Sequence, residues 1–165
     1  MGFDVEGVLG RLETIRSNFV NMVRSTPEDR LDWRPPSEGG DPTTISEQIK
    51  HCVEVEAGTA TRLFTDEAPE QGEGGDYFAS ATWAGVGPAG ALSAKEDLIR
   101  CIEETGQRTT ELIRSQPDDI WDEEVDAGFA KMTKAGFVEL LTHHWWYHAG
   151  QVAYIQRLYG DVSFG

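Results

Sequence analysis

Two histidines one helical turn apart, His144 and His148, are the residues of this sequence best placed to do chemistry. They lie in residues 140–151, which contain three of the four histidines and two of the five tryptophans. Residues four apart on a helix share a face, with Cβ atoms about 5–6 Å apart. Two imidazoles at that spacing can hold one metal ion. The spacing is also common by chance, so taken alone it favours ordinary helix histidines over a metal site.

The surroundings of this pair strengthen the metal interpretation. Helical spacing places the pair on a stripe that is apolar at both ends and polar in the middle: Phe137, Leu141, His144, His148, Gln151, Val152 and Ile155. Polar groups in a core-facing seam cost free energy unless each finds a partner. A metal ion would be a partner for both imidazoles at once.

A third imidazole could come from His51, the one histidine outside residues 140–151. Three imidazoles leave coordination positions open to water or substrate, as in catalytic rather than structural metal sites. Neutral imidazole suits zinc, nickel, copper or iron(II), and the sequence does not choose between them. Taken alone, His51 is more often a surface or capping histidine than a ligand.

The neighbouring residues have interpretations without a metal. His143 projects about 100° away from His144, so we interpret it as a packing or supporting residue. Gln151 is either an interface glutamine or the side chain that orients a histidine or a bound water. Gly150 could let a neighbouring helix approach. The aromatic run at 145–147 fits a core or a dimer interface better than substrate contacts.

Composition and charge exclude several other classes of protein. With 165 residues, 39% of them hydrophobic, the chain is long enough for one domain, 1–165, with a full core. A net charge of −15 disfavours nucleic acid and anionic membranes as partners. No apolar run reaches the roughly 20 residues of a membrane span. No signal pattern is present, so we expect a cytoplasmic protein, with Cys52 and Cys101 as small buried residues.

Hydrophobic periodicity predicts an all-α fold, a four-helix bundle. The predicted helices cover residues 3–24, 44–65, 93–115 and 134–159. Capping boxes are predicted at Thr44–Glu47 and Ser93–Glu96, and Gly160 ends the last helix. The predicted connectors are 27–42, a long crossover at 66–91, and 118–132 as a short extended pair or an irregular loop. Glu47 lies one turn before His51, but its capping role already explains it.

Four segments of the chain resemble the DinB/YfiT-like superfamily of metalloenzymes. They are LDWRP at 31–35, TISEQIKH at 44–51, Trp121 in the third connector, and HWWYHAGQ at 144–151. The resemblance implies a bundle with up-down-down-up connectivity, which the crossover at 66–91 fits. It also implies a divalent metal on His51, His144 and His148, and commonly a homodimer. One departure is Ala149, where many members have arginine.

Family members with known activity include S-transferases and isomerases that use low-molecular-weight thiols. The leading hypothesis is therefore a metal-dependent enzyme of the thiol-dependent S-transferase or hydrolase type that acts on a small molecule. Besides the metal ligands, the sequence assigns no catalytic side chain. Zinc or nickel is expected first, with iron or manganese as alternatives, and Gln151 would orient a ligand. The alternative is a non-catalytic dimeric bundle that binds a metal or serves in interactions or the stress response. A third hypothesis is plain core histidines without metal.

Overall fold

In the computed structural model of the chain, residues 2–40, 42–65, 94–126 and 130–161 are described. The helices are α1 (Val5–Ser25), α2 (Ile45–Phe64), α3 (Lys95–Arg114) and α4 (Lys134–Leu158), with a 3-10 turn at Glu28–Arg30. Two short strands, β1 (Glu124–Asp126) and β2 (Lys131–Thr133), pair antiparallel with Val125 opposite Met132. The predicted all-α class is confirmed, and of the two alternatives for 118–132 the chain adopts the extended pair. The predicted crossover at 66–91 lies outside the described residues.

The helix starts follow local side-chain chemistry. Thr44 forms the predicted capping box at α2: its hydroxyl accepts from the Glu47 backbone at 3.1 Å, and the Glu47 carboxylate accepts from the Thr44 backbone at 2.8 Å. The second predicted capping box depends on the Ser93 hydroxyl, and the described part of α3 begins after Ala94, which makes no side-chain cap. Ser93 lies outside the described residues. At α4 the Thr133 hydroxyl caps the Gly136 backbone at 3.1 Å.

Contacts near the helix ends fix the direction of α1 relative to α3. Arg114 at the end of α3 pairs with Glu6 at the start of α1, at 2.9 Å. At the opposite end, Lys95 Nζ lies 3.5 Å from the Arg24 carbonyl oxygen and donates to it. The two helices are therefore antiparallel.

Helix α4 runs parallel to α1, because their starts and their ends meet. Arg11 pairs with Glu139 at 3.6 Å near both starts, and Gln156 donates to the Met22 carbonyl at 3.2 Å near both ends.

Helix α2 is antiparallel to α4, since its last turn packs Leu63 against Phe137 in the first turn of α4. These directions give the predicted up-down-down-up bundle, in which α1 and α2 each contact both α3 and α4.

The core lies along the bundle axis, and Trp145 is its largest fully buried side chain. Its ring stands edge-on to Phe19 at 4.8 Å, as aromatic pairs prefer. Because Trp145 is fixed in the core, the two residues beside it in sequence point elsewhere: His144 towards α2, and Trp146 to solvent. Within the described ranges, no helix combines the length and apolar character needed to cross a membrane.

Candidate metal centre

Helices α2 and α4 bring three histidines together at one place in the bundle. His144 Nε2 lies 3.1 Å from His51 Nε2 and 3.1 Å from His148 Nε2. One ring nitrogen of each of the three residues lies within 4.8 Å of the others. The predicted ligand set is therefore assembled by the fold, and each imidazole presents the same atom to a common point.

The hydrogen bonds of His148 fix which of its nitrogens carries the proton. Its Nδ1 faces two carboxamide oxygens, Gln151 Oε1 at 2.9 Å and Gln48 Oε1. Both oxygens are acceptors, so Nδ1 must be the N–H that donates to them. The Nε2 atom then carries the lone pair, and that lone pair is directed at the other two histidines. This tautomer is the one that a metal ligand needs.

Burial favours the uncharged form of His144 and His148. Desolvation, reinforced by the neighbouring His148 and His51, lowers the pKa of His144 from 6.5 to about 3. Desolvation also lowers the pKa of His148, with a further contribution from His51 and an opposing one from the Gln151 hydrogen bond. Neutral imidazole is the form that binds a metal, so at neutral pH these two rings do not have to lose a proton first.

The dimensions of the cluster fit a metal ion. Zinc–nitrogen bonds of about 2.0–2.1 Å in a tetrahedral site place ligand nitrogens roughly 3.3 Å apart, close to the separations found here. His148 is buried, His144 is half-buried and His51 is exposed. The open side of the cluster is therefore the side of His51. The donor set, its tautomer and its spacing all suit a divalent transition metal with a position left for a small molecule.

The sequence analysis did not predict a role for Gln48. It lies one turn before His51 on α2 and reaches across to His148 on α4, while its amide nitrogen donates to the Thr43 hydroxyl. The signal in the sequence was its position on the same helical face as His51. Gln151 has the orienting contact that was one of its two interpretations.

Other residues near the motif are not part of the cluster. His143 is exposed, and Glu47 is occupied by its cap and by an ion pair with Arg34. The hydrogen bond to the Thr44 backbone is the largest cause that lowers the pKa of Glu47. Within the described part of the chain, no atom lies within 4 Å of where a Cβ on Gly150 would stand. For the helices that the structure describes, the interpretation that Gly150 lets a neighbouring helix approach is therefore wrong.

The two cysteines are free and buried, as expected. Burial raises the pKa of Cys101 to about 11 and raises that of Cys52 well above its usual value. Both thiols are therefore protonated at neutral pH and are poor nucleophiles or metal ligands.

A buried polar network centred on Glu56 joins the two histidine-bearing helices, α2 and α4, to each other and to α1. The Arg16 guanidinium contacts both oxygens of Glu56, at 3.1 and 2.6 Å, and Trp145 Nε1 donates to Glu56 at 2.7 Å. Glu56 is fully buried, one turn beyond Cys52 on α2, and Trp145 follows His144 on α4. Reasoning from the sequence missed this network. The sequence did contain a signal: Arg16 and Glu56 are charged residues that lie on the apolar stripes of α1 and α2.

Comparisons with known proteins agree with this architecture. The family model of the DinB superfamily matches residues 11–152, a range that contains all three histidines of the cluster and Gln151. Among solved structures, the crystal structure at 2.30 Å of a DinB-like protein, YjoA from Bacillus subtilis, is similar with a TM-score of 0.66. Its sequence is 15% identical, and the alignment covers 94% of each chain. At that identity the likeness shows the fold alone. No curated protein matches the chain.

Proposed function

The chain belongs to the DinB superfamily, and from that membership and the site geometry we propose that it is a metal-dependent enzyme with its ion on His51, His144 and His148. The observation that carries the proposal is the convergence of three ring nitrogens while the His148 Nδ1 proton is held on the opposite side by carboxamide oxygens. A histidine that packs only for stability has no need of that arrangement.

The chemistry follows from an open three-nitrogen site. When bound, the metal would act as a Lewis acid that makes a water or a thiol nucleophilic at neutral pH. The chain's own contribution is positional. Gln48 and Gln151 hold the His148 ring, and the exposed side of His51 leaves room for a small molecule. We propose thiol-dependent S-transfer or hydrolysis as the reaction type and a low-molecular-weight thiol as co-substrate. Zinc or nickel suits a set of three neutral nitrogen donors.

The test is a screen of thiols with electrophiles, and of esters, on metal-loaded protein. We expect turnover in the wild type and in His143→Ala, whose side chain is exposed beside the cluster but not in it. Turnover should disappear in His148→Ala and after chelation. Turnover that survives both changes would show that the reaction does not use this site.

The alternative is a bundle that binds its metal without catalysis. It predicts the same metal content, a melting temperature that falls on chelation because a bound ion stabilises only the folded state, and no turnover of any probe. The exposure of His51 favours the enzyme, because a structural ion is usually closed off from solvent by a fourth protein ligand.

We also propose that the chain forms a homodimer, as its family resemblance implies. Support comes from α4, where Trp146 is 51% exposed and Tyr147 is 66% exposed on the side of the helix that faces away from the core. Adjacent exposed aromatic side chains are typical of interfaces between protein chains.

A further inference from the structure

A cavity of about 530 Å³ lies between the end of α4 and the segment that precedes α2. This volume is within the range of small-molecule sites. Apolar or aromatic residues form part of its wall: Pro35, Pro36, Pro42, Tyr154, Ile155 and Leu158. The hydroxyls of Ser37 and Thr43 and the carboxamides of Gln48 and Gln151 form the polar part. We call it the α4 cavity. It is separate from the point on which the three histidines converge, because both carboxamides contact the far side of the His148 ring.

The lining of the α4 cavity is unusual for this protein. In the whole chain, 26% of residues are charged and the net charge is −15, yet no described residue that lines the cavity is charged. A second groove, of about 420 Å³ between α1 and α3, shows the contrast, because arginine and glutamate side chains line much of it. A charged ligand would find no counterion in the described wall of the α4 cavity and would lose hydration without compensation.

Of the two carboxamides in the wall, Gln151 is the one whose N–H donor is not used within the described residues. Gln48 uses its oxygen on His148 and its nitrogen on Thr43. Gln151 uses its oxygen on His148, whereas among the described residues nothing accepts a hydrogen bond from Gln151 Nε2. An amide N–H beside an apolar wall is the pattern by which pockets orient a largely apolar ligand.

From these observations we propose that the α4 cavity binds an uncharged, partly apolar small molecule that presents a hydrogen-bond acceptor to Gln151. The ligand would pack against Tyr154, Ile155 and Leu158. Because Gln151 also holds the His148 ring, the occupant would lie directly behind the histidine cluster. The proposal does not require a metal, so it can fail or succeed independently of the proposed function.

Gly150 offers a way to close the cavity without damaging the fold. It lines the cavity on α4, and the Cβ of a side chain added there meets no atom of the described residues within 4 Å. Gly150→Leu should therefore occupy the space, and leucine is favoured over glycine in a helix by about 1 kcal/mol. Gly10→Leu is the matched control, because Gly10 is also an exposed helix residue with open space at its Cβ, but on α1.

The experiment is an NMR titration with three probes of the same size: benzyl alcohol, benzoate and benzylammonium. It would use metal-free and Zn²⁺-supplemented protein at physiological salt, where screening over about 8 Å limits attraction of the cation to the acidic surface. Chemical shifts of Gly150 and of the Gln48 and Gln151 side-chain amides report on the cavity.

We expect benzyl alcohol to shift these signals and to bind about tenfold or more tightly than either charged probe, in both metal states. Gly150→Leu should weaken its binding by a similar factor, while Gly10→Leu should bind as wild type does. The proposal is overturned if no probe shifts the cavity signals, if a charged probe binds as well as the alcohol, or if Gly150→Leu binds normally.

Discussion

At the scale of single residues, the Nδ1 atom of His148 determines what the cluster can do. Two carboxamide oxygens, from Gln48 and Gln151, accept from this nitrogen and keep the lone pair of Nε2 directed at His144. Without them the imidazole could adopt the other tautomer or rotate about its Cβ–Cγ bond. Hydrogen bonds of this kind fix the orientation of metal-bound histidines and make them better ligands.

The double variant Gln48→Leu/Gln151→Leu should therefore weaken metal binding by about 10–100-fold. Each single variant should have a smaller effect, because one acceptor remains. Competition with a chelating indicator measures the affinity. Gln107→Leu is the control, because Gln107 is an exposed glutamine on α3 that bonds to Glu111 on its own helix. Equal affinities for wild type and the double variant would show that the carboxamides do not hold the ligand.

At the scale of helices, the buried Arg16–Glu56 pair ties α1 to α2, and the Trp145 indole adds α4. Removing one partner of a buried pair leaves the other charge without compensation, which costs far more than the loss of a surface pair. The network lies between the helices that supply the histidines, so it stabilises the separation on which the site depends.

Glu56→Gln should lower the free energy of unfolding by about 3–5 kcal/mol, because the buried Arg16 guanidinium keeps only the exposed Glu13 carboxylate, 4.0 Å away. Urea unfolding measures this loss. The matched control is Glu103→Gln, which removes an exposed carboxylate 3.5 Å from Arg24 and should cost about 0–1 kcal/mol. A similar small loss in both variants would mean that the buried pair contributes little.

Features that depend on a single helix, such as its limits and the residues that share one of its faces, were predicted from the sequence. Spacing within α4 was enough to pair His144 with His148, and hydrophobic periodicity located all four helices. The register between two helices depends on residues of both helices, so no single segment of the sequence determines it. For this reason the contacts of Gln48 with His148 and of Arg16 with Glu56 were missed. His51 was placed in the predicted ligand set by family resemblance rather than by spacing.

At the scale of the whole molecule, the chain combines a strongly acidic surface with exposed aromatic side chains on α4. Mutual repulsion of highly charged chains opposes association, so a dimer would need apolar contacts to offset it. Trp146 and Tyr147 provide such a surface.

We predict that Trp146→Glu shifts the chain from dimer to monomer, since the substitution places a charge in the middle of an apolar contact. Light scattering after size-exclusion chromatography measures the mass. Arg157→Glu, also exposed on α4, is the control for added negative charge. A wild type that is monomeric at all concentrations would contradict the proposal.

The most direct test of the metal centre is elemental analysis of tag-free protein, comparing wild type with His148→Ala and His143→Ala. The account predicts about one divalent ion per chain in the wild type and in His143→Ala, and little in His148→Ala, because His148 belongs to the cluster and His143 does not. Wild-type protein that holds no metal even after reconstitution, or His148→Ala protein that keeps the full amount, would contradict the account.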